Sequence, residues 1–105
     1  MRRCVCAGFL LAVSLPAIAA NVAEVTLKDY GFHPQELTIK AGTTVRWINR
    51  EKRQYHSVWF KELGDPKPDY FFPGESYERT FKKLGTYHYR CGPHPEMTGT
   101  VHVVE

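Results

Sequence analysis

The chain has 105 residues, of which 13% are aromatic and 24% are charged, and its formal net charge is +3. This length suits a single domain, because a second independent hydrophobic core would be hard to build from so few residues. The net charge is small for a nucleic-acid-binding domain, so nucleic acid is not an expected partner.

The first twenty residues differ in composition from the rest of the chain. A basic start with Arg2 and Arg3 precedes an almost wholly apolar run over residues 9–15, and small residues follow at 17–20. This layout is typical of a secretory signal peptide. We therefore predict a signal peptide over residues 1–20 and one domain over residues 21–105, exported to the periplasm. The apolar run is too short to span a bilayer comfortably, so stable membrane insertion is not expected.

Removal of the signal peptide changes the charge and the cysteine count. Twelve of the 14 basic residues remain against 11 acidic ones, which leaves a formal charge of +1. Of the three cysteines, Cys4 and Cys6 are lost, so Cys91 has no partner for an internal disulfide. A bare exposed thiol in an exported protein would be oxidised. Cys91 is therefore expected either to be buried as a structural residue or to be protected by a bound group.

The region after residue 21 consists of short extended segments separated by turn residues, without helical periodicity. A turn over residues 31–34 ends the first segment, and residues 64–74 form a proline-rich loop. Further strands are expected over residues 76–81, 86–90 and 99–104. Apolar or inward positions at a spacing of two mark the first three strands: Val25 and Leu27, then Leu37 and Ile39, then Val45, Trp47 and Asn49. Seven or eight such strands predict an all-β, Greek-key sandwich or small barrel with antiparallel strands.

One short loop carries three metal-binding side chains at steps of three residues. Cys91, His94 and Met97 lie within it, and His56 lies 35 residues before Cys91 on a separate segment. Soft sulfur ligands with imidazole suit copper, and two histidines with one cysteine plus a weak axial methionine form the type 1 copper arrangement. The sequence therefore predicts one copper ion that alternates between Cu(I) and Cu(II). No catalytic residue is assigned.

Three alternatives remain open for these residues. Zinc also accepts cysteine and histidine, although methionine is not among its usual ligands. Nucleophilic catalysis by Cys91 with a histidine base is a second alternative, which leaves Met97 unexplained. An inert buried cysteine is the third. Period-two alternation directs His88 and His102 outward, and His33 lies in a turn, so these histidines are predicted to be surface residues.

Three stretches of the chain resemble the cupredoxin family. They are Phe32-His33-Pro34, the segment LTIKAGTTVRWIN at residues 37–49 and the segment CGPHPEMTG at residues 91–99. The short Cys-x-x-His-x-x-Met loop is similar to that of the plastocyanin and amicyanin branch. In most blue-copper members of that branch an asparagine follows the first histidine and bridges the two ligand loops, whereas this chain has Ser57. The resemblance therefore implies a cupredoxin fold in which the shorter side chain of Ser57 bridges less well.

The resemblance also implies what the protein does. It implies a monomeric, non-enzymatic carrier of single electrons that docks transiently with a redox partner such as a cytochrome, dehydrogenase or oxidase. The edge of the loop histidine, His94, is then the electron path. Copper tolerance, in which the domain binds excess copper, is the alternative function. Basic residues at positions 50, 52 and 53 are either a docking patch for an acidic partner or ordinary solvated charges.

Overall fold

A computed structural model describes residues 21–105, and the predicted signal peptide lies outside these described residues. The described part forms seven strands and one short 3-10 helix over Lys61–Leu63. None of its helices is long and apolar enough to cross a membrane. The strands are β1 (Val22–Lys28), β2 (Gly31–His33), β3 (Glu36–Lys40), β4 (Thr43–Asn49), β5 (Ser76–Phe81), β6 (Gly85–Arg90) and β7 (Thr98–Val104).

The strands form two sheets, one in the order β2-β1-β4-β5 and the other in the order β3-β7-β6. This arrangement confirms the predicted all-β sandwich. One expectation was wrong, because the sheets are not purely antiparallel: β1 pairs parallel with β4, and β3 pairs parallel with β7. The chain passes into the second sheet at β3 before it returns at β4, and a strand that returns after such a crossover can run parallel to its neighbour.

The segment after β1 also differs from the prediction. Residues 31–33 were expected in a turn, but they form β2 and pair antiparallel with β1. The turn lies one step earlier, at Asp29 and Tyr30, which both have positive φ angles of 52° and 57°. Two such residues between paired strands form the type I′ turn that matches the twist of a hairpin. The hairpin places Tyr30 at its tip.

The hydrophobic core lies between the two sheets and is built around Trp47. The indole ring is fully buried, as the alternation in β4 predicts. Four aromatic rings surround it at centroid distances of 5.4–6.4 Å: Phe60, Tyr77, Phe81 and Tyr89. Such large rings bury much apolar surface in a small domain and prefer edge-to-face contacts, which three of these four pairs make.

Buried Asn49 connects the end of β4 to the loops that follow it. Its amide donates hydrogen bonds to the carbonyl oxygens of Gln54 and Phe71 at 2.9 and 3.1 Å. Its side-chain oxygen accepts a hydrogen bond from the backbone N–H of Glu51 at 2.9 Å. One side chain therefore holds both the loop that leads to His56 and part of the proline-rich loop. In that loop Phe71 packs into the core, whereas Tyr70 and Phe72 stay exposed.

Candidate metal centre

Three of the four predicted ligands meet at one end of the sandwich. The side chains of His56, Cys91 and His94 bring one nitrogen or sulfur atom each to within 4.8 Å of one another. The Cys91 Sγ atom lies 3.4 Å from His56 Nδ1 and 3.5 Å from His94 Nδ1. Atoms bonded at about 2.0–2.3 Å to one ion lie roughly 3.5 Å apart, so these separations fit a shared metal ion.

His56 is held by backbone pairing and by a carboxylate. Its backbone exchanges hydrogen bonds with Phe71, at 3.1 Å from the His56 N–H and 2.8 Å from the Phe71 N–H. Its ring Nε2 lies 2.9 Å from the carboxylate of Glu51. A proton on Nε2 donates to that carboxylate and leaves the Nδ1 lone pair directed toward Cys91. Such carboxylate–histidine pairs orient metal ligands and fix their tautomer.

Glu51 also holds the turn above the site. The same carboxylate oxygen accepts a hydrogen bond from the backbone N–H of Tyr30 at 2.9 Å. Burial raises the pKa of Glu51, but hydrogen bonds from Tyr30 and His56 outweigh this effect, so the pKa lies below its usual value. Glu51 is therefore ionised at neutral pH and keeps its acceptor oxygens available to both partners.

The loop from Cys91 to Met97 is closed by its own backbone. The N–H of Met97 donates to the carbonyl of His94 at 2.9 Å, and the N–H of Cys91 donates to the carbonyl of Met97 at 2.9 Å. Pro95 occupies the second position of the turn from His94 to Met97, where its fixed φ angle is favourable. The Met97 side chain is 3% exposed. Thus the loop is compact, and its methionine is buried at the same end of the molecule as the cluster.

Ser57 bridges the two ligand segments. Its backbone N–H donates to the Cys91 sulfur at 3.4 Å, and its Oγ accepts a hydrogen bond from the N–H of Gly92 at 2.9 Å. A Cβ atom at Gly92 would lie 2.8 Å from that Oγ, so glycine is required for this contact. Serine thus makes a direct hydrogen bond between the two segments, and a weaker bridge than that of asparagine stays a prediction.

In the absence of metal, burial sets the protonation states of Cys91 and His94. Burial raises the pKa of the Cys91 thiol, although the N–H of Ser57 acts in the opposite direction. Burial likewise lowers the pKa of His94, and the nearby His56 lowers it further. The metal-free site therefore holds a thiol and a neutral His94 imidazole at neutral pH, and metal binding must displace the thiol proton.

Aromatic side chains cover the histidines on the solvent side. The Tyr30 ring lies edge-on to both, with centroid distances of 5.8 Å to His56 and 4.9 Å to His94. Tyr55 lies 6.4 Å from His94 and stacks on Tyr70 at 4.7 Å. We call the four exposed aromatic residues at this end of the molecule the aromatic rim: Tyr30, Tyr55, Tyr70 and Phe72.

Sequence reasoning missed Glu51 and the aromatic rim. Glu51 precedes His56 by five residues and lies among basic residues in a charged loop. The only available signal was an acidic residue close to a predicted histidine ligand. The other histidines stay outside the cluster: His33 and His88 are exposed, and His102 is half-buried on the outer face of β7. Their predicted surface location is confirmed.

Comparison with known proteins identifies the family. Residues 19–104 match the copper binding proteins of the plastocyanin/azurin family. The chain belongs to this family. It is 41% identical to the amicyanin of Paracoccus denitrificans over 98 residues, covering 86% of this chain and 73% of that protein. It is 40% identical to the plastocyanin of Scenedesmus fuscus over 84 residues, covering 69% of this chain and 85% of that protein.

The solved structures agree with the sequence comparison. The crystal structure of amicyanin from Paracoccus versutus matches with a TM-score of 0.71 at 33% identity, covering 83% of this chain and 85% of that chain. The protein is therefore a small electron-transfer copper protein with one type 1 copper ion, and it acts with redox partner proteins. It is a carrier and not an enzyme. These relatives support the electron-carrier function rather than copper tolerance.

Proposed function

We propose that His56, Cys91, His94 and Met97 are the four ligands of the copper ion. The observation that carries this assignment is the meeting of two imidazole nitrogens and the only thiol of residues 21–105. Met97 is added because it is buried in the loop that begins at Cys91 and because the loop backbone joins the two residues. Two imidazoles, a thiolate and a weak thioether fit a type 1 copper ion.

The surrounding residues limit movement at the site. When bound, the copper ion supplies one-electron chemistry by alternating between Cu(I) and Cu(II). Ser57 and Glu51 hold the ligand side chains by direct hydrogen bonds, and the Cys91 side chain is fully buried. Ligands that are positioned in advance and shielded from water need little rearrangement when the charge of the ion changes. Small rearrangement favours fast electron transfer.

We propose that electrons pass through His94 and the aromatic rim. His56 and Cys91 are fully buried, whereas His94 is half-buried and is the one ring of the cluster that reaches the surface. Weak redox complexes bury small interfaces and exchange quickly. A cytochrome, dehydrogenase or oxidase that docks transiently on the aromatic rim fits this arrangement. The carrier is proposed to be a monomer.

We further propose that the protein works in the periplasm. The support is the composition of residues 1–20, which has the basic start, apolar run and small residues of a secretory signal peptide. The family match begins at residue 19, close to the end of the proposed signal peptide. An exported location also agrees with a single thiol that a metal protects from oxidation.

The ligand assignment is tested by the visible spectrum of the purified domain after Cu(II) is added. We expect an intense thiolate-to-copper charge-transfer band in the natural protein and no such band in Cys91→Ala. Met97→Leu should retain colour and copper but shift the band and the reduction potential, because the axial ligand tunes the potential. His88→Ala is the matched control, since this exposed histidine lies outside the cluster.

Three results would contradict the assignment. Colour that survives in Cys91→Ala would exclude the thiolate as a ligand. An unchanged potential in Met97→Leu would remove methionine from the ligand set. Loss of the band in His88→Ala would place the copper ion elsewhere.

A further inference from the structure

A groove of about 320 Å³ lies on the flank of the domain, and none of the four proposed copper ligands lines it. Its walls are the outer face of β6 and β7 and the 3-10 helix that begins at Lys61. Trp59, Lys61, Glu62, His88 and Arg90 contribute most of its polar and aromatic lining. The groove is thus a feature separate from the aromatic rim.

Trp59 forms a rigid aromatic wall of this groove. Its indole Nε1–H donates to the carbonyl of Asp65 at 3.0 Å. Its backbone exchanges hydrogen bonds with Arg90, at 2.9 Å from the Trp59 N–H and 3.1 Å from the Arg90 N–H. These contacts hold both the indole ring and the backbone of Trp59 in place.

Two cations are held against this ring. The Lys61 ammonium lies 5.4 Å and the Arg90 guanidinium carbon 5.1 Å from the Trp59 ring centroid, within cation–π range. Within residues 21–105 neither cation forms a salt bridge. Among the described residues, the Arg90 guanidinium donates to the backbone carbonyls of Cys91 and Gly92. Glu62 is the one acidic residue of the lining. The lining therefore holds two cations against one carboxylate, and among residues 21–105 no salt bridge pairs Glu62 with either cation.

We propose that this groove is a docking site for an acidic segment of a protein partner. Carboxylate side chains complement the two cations, and apolar parts of the segment can lie on the Trp59 ring. The groove has room for far more than one water-sized particle, which fits a peptide segment better than an inorganic ion. Because Arg90 holds the carbonyls of Cys91 and Gly92, a docked segment contacts a residue attached to the copper loop. The proposal stands independently of the ligand assignment.

The proposal is tested by NMR on the reduced, copper-loaded, ¹⁵N-labelled protein with hexaglutamate peptide as the probe. At low ionic strength we expect saturable shifts at the amides of Trp59, Lys61 and Arg90 and at the Trp59 indole N–H. Lys61→Gln should weaken binding about two- to fivefold, the range of an exposed charge pair. Glu62→Gln should strengthen it, since a like charge is removed. Both residues are exposed, so neither change threatens folding.

Matched variants separate this site from general attraction to positive charge. Lys40→Gln removes an exposed lysine on β3 outside the groove and should leave the affinity unchanged. Arg90→Lys keeps the charge and should retain binding. Shifts centred on residues 50–53, or equal weakening by Lys40→Gln, would overturn the proposal. Phosphate that reproduces the same shifts at the same affinity would overturn it in favour of a simple anion site.

Discussion

At the scale of single residues, Ser57 shows how a small side chain joins distant parts of the site. It is fully buried and contacts both the Cys91 sulfur and the Gly92 backbone N–H. A buried N–H that has no hydrogen-bond acceptor destabilises the folded state by its full desolvation free energy. The hydroxyl of Ser57 therefore contributes to stability mainly by satisfying Gly92.

Replacing Ser57 by alanine should expose this dependence. We expect Ser57→Ala to lower the free energy of unfolding by about 1–3 kcal/mol, because the N–H of Gly92 loses its acceptor. Copper release should also become faster, since the ligand segments lose their bridge. Urea unfolding and transfer of copper to a chelator measure the two effects. Ser76→Ala, at an exposed serine of β5, is the control. Equal stability of the two variants would refute this role for Ser57.

At the scale of elements, the pairing of β6 with β7 brings a tyrosine ring into close contact with a glycine. Tyr89 on β6 lies opposite Gly99 on β7. A Cβ atom at position 99 would come within 2.3 Å of the Tyr89 ring and hydroxyl, so the ring occupies the space that glycine leaves free. The ring also packs at 4.7 Å on Phe32 and 5.4 Å on Trp47. Tyr89 thus joins the two sheets beside the segment that leads to Cys91.

This packing predicts a loss of stability at alkaline pH. Burial raises the pKa of Tyr89 to about 12, whereas the unfolded chain has the ordinary value of 10.0. Since the folded state favours the neutral phenol, this stabilisation is complete below pH 10 and is lost as the pH rises toward 12. The free energy of unfolding should fall by about 1.4 kcal/mol per pH unit in this window relative to Tyr89→Phe. Urea unfolding of both proteins measures it, and parallel pH profiles would contradict it.

At the scale of the whole molecule, the sandwich supports the metal site without depending on it. Cys91 and Met97 belong to the hydrophobic core, but the aromatic rings packed on Trp47 and the hydrogen bonds of Asn49 involve none of the proposed ligands. Nevertheless, a metal that binds only the folded state adds its binding free energy to stability. The metal-free domain should therefore be folded, and copper should stabilise it further.

Copper titration tests this coupling. Free copper at about 1,000 times its dissociation constant should raise the free energy of unfolding by about 4 kcal/mol. Circular dichroism should show β-structure with and without the metal, and thermal unfolding should shift upward only with it. Cys91→Ala should show a much smaller shift. A metal-free chain without β-structure, or an equal shift in Cys91→Ala, would count against a preformed site.

Much of the fold and part of the site could be predicted from the sequence. Alternation placed Val25, Leu27, Val45 and Trp47 in the core, and the structure buries all four. The loop residues Cys91 and His94 are three positions apart, so a tight turn necessarily keeps them close. Local patterns of this kind are readable because strand alternation and turn geometry depend on neighbouring residues.

The remaining features depend on how the chain crosses between the sheets. The parallel pairing of β1 with β4 follows from a change of sheet that no local pattern records. Three features of the molecule depend on segments that only the folded chain brings together. They are the contact of His56 with Cys91, the hydrogen bond of the Glu51 carboxylate to His56, and the groove beside Trp59. The sequence by itself determined the donor types and the strand pattern. Tertiary structure decided which donors meet and what surrounds them, because contacts between loops depend on the path of the whole chain.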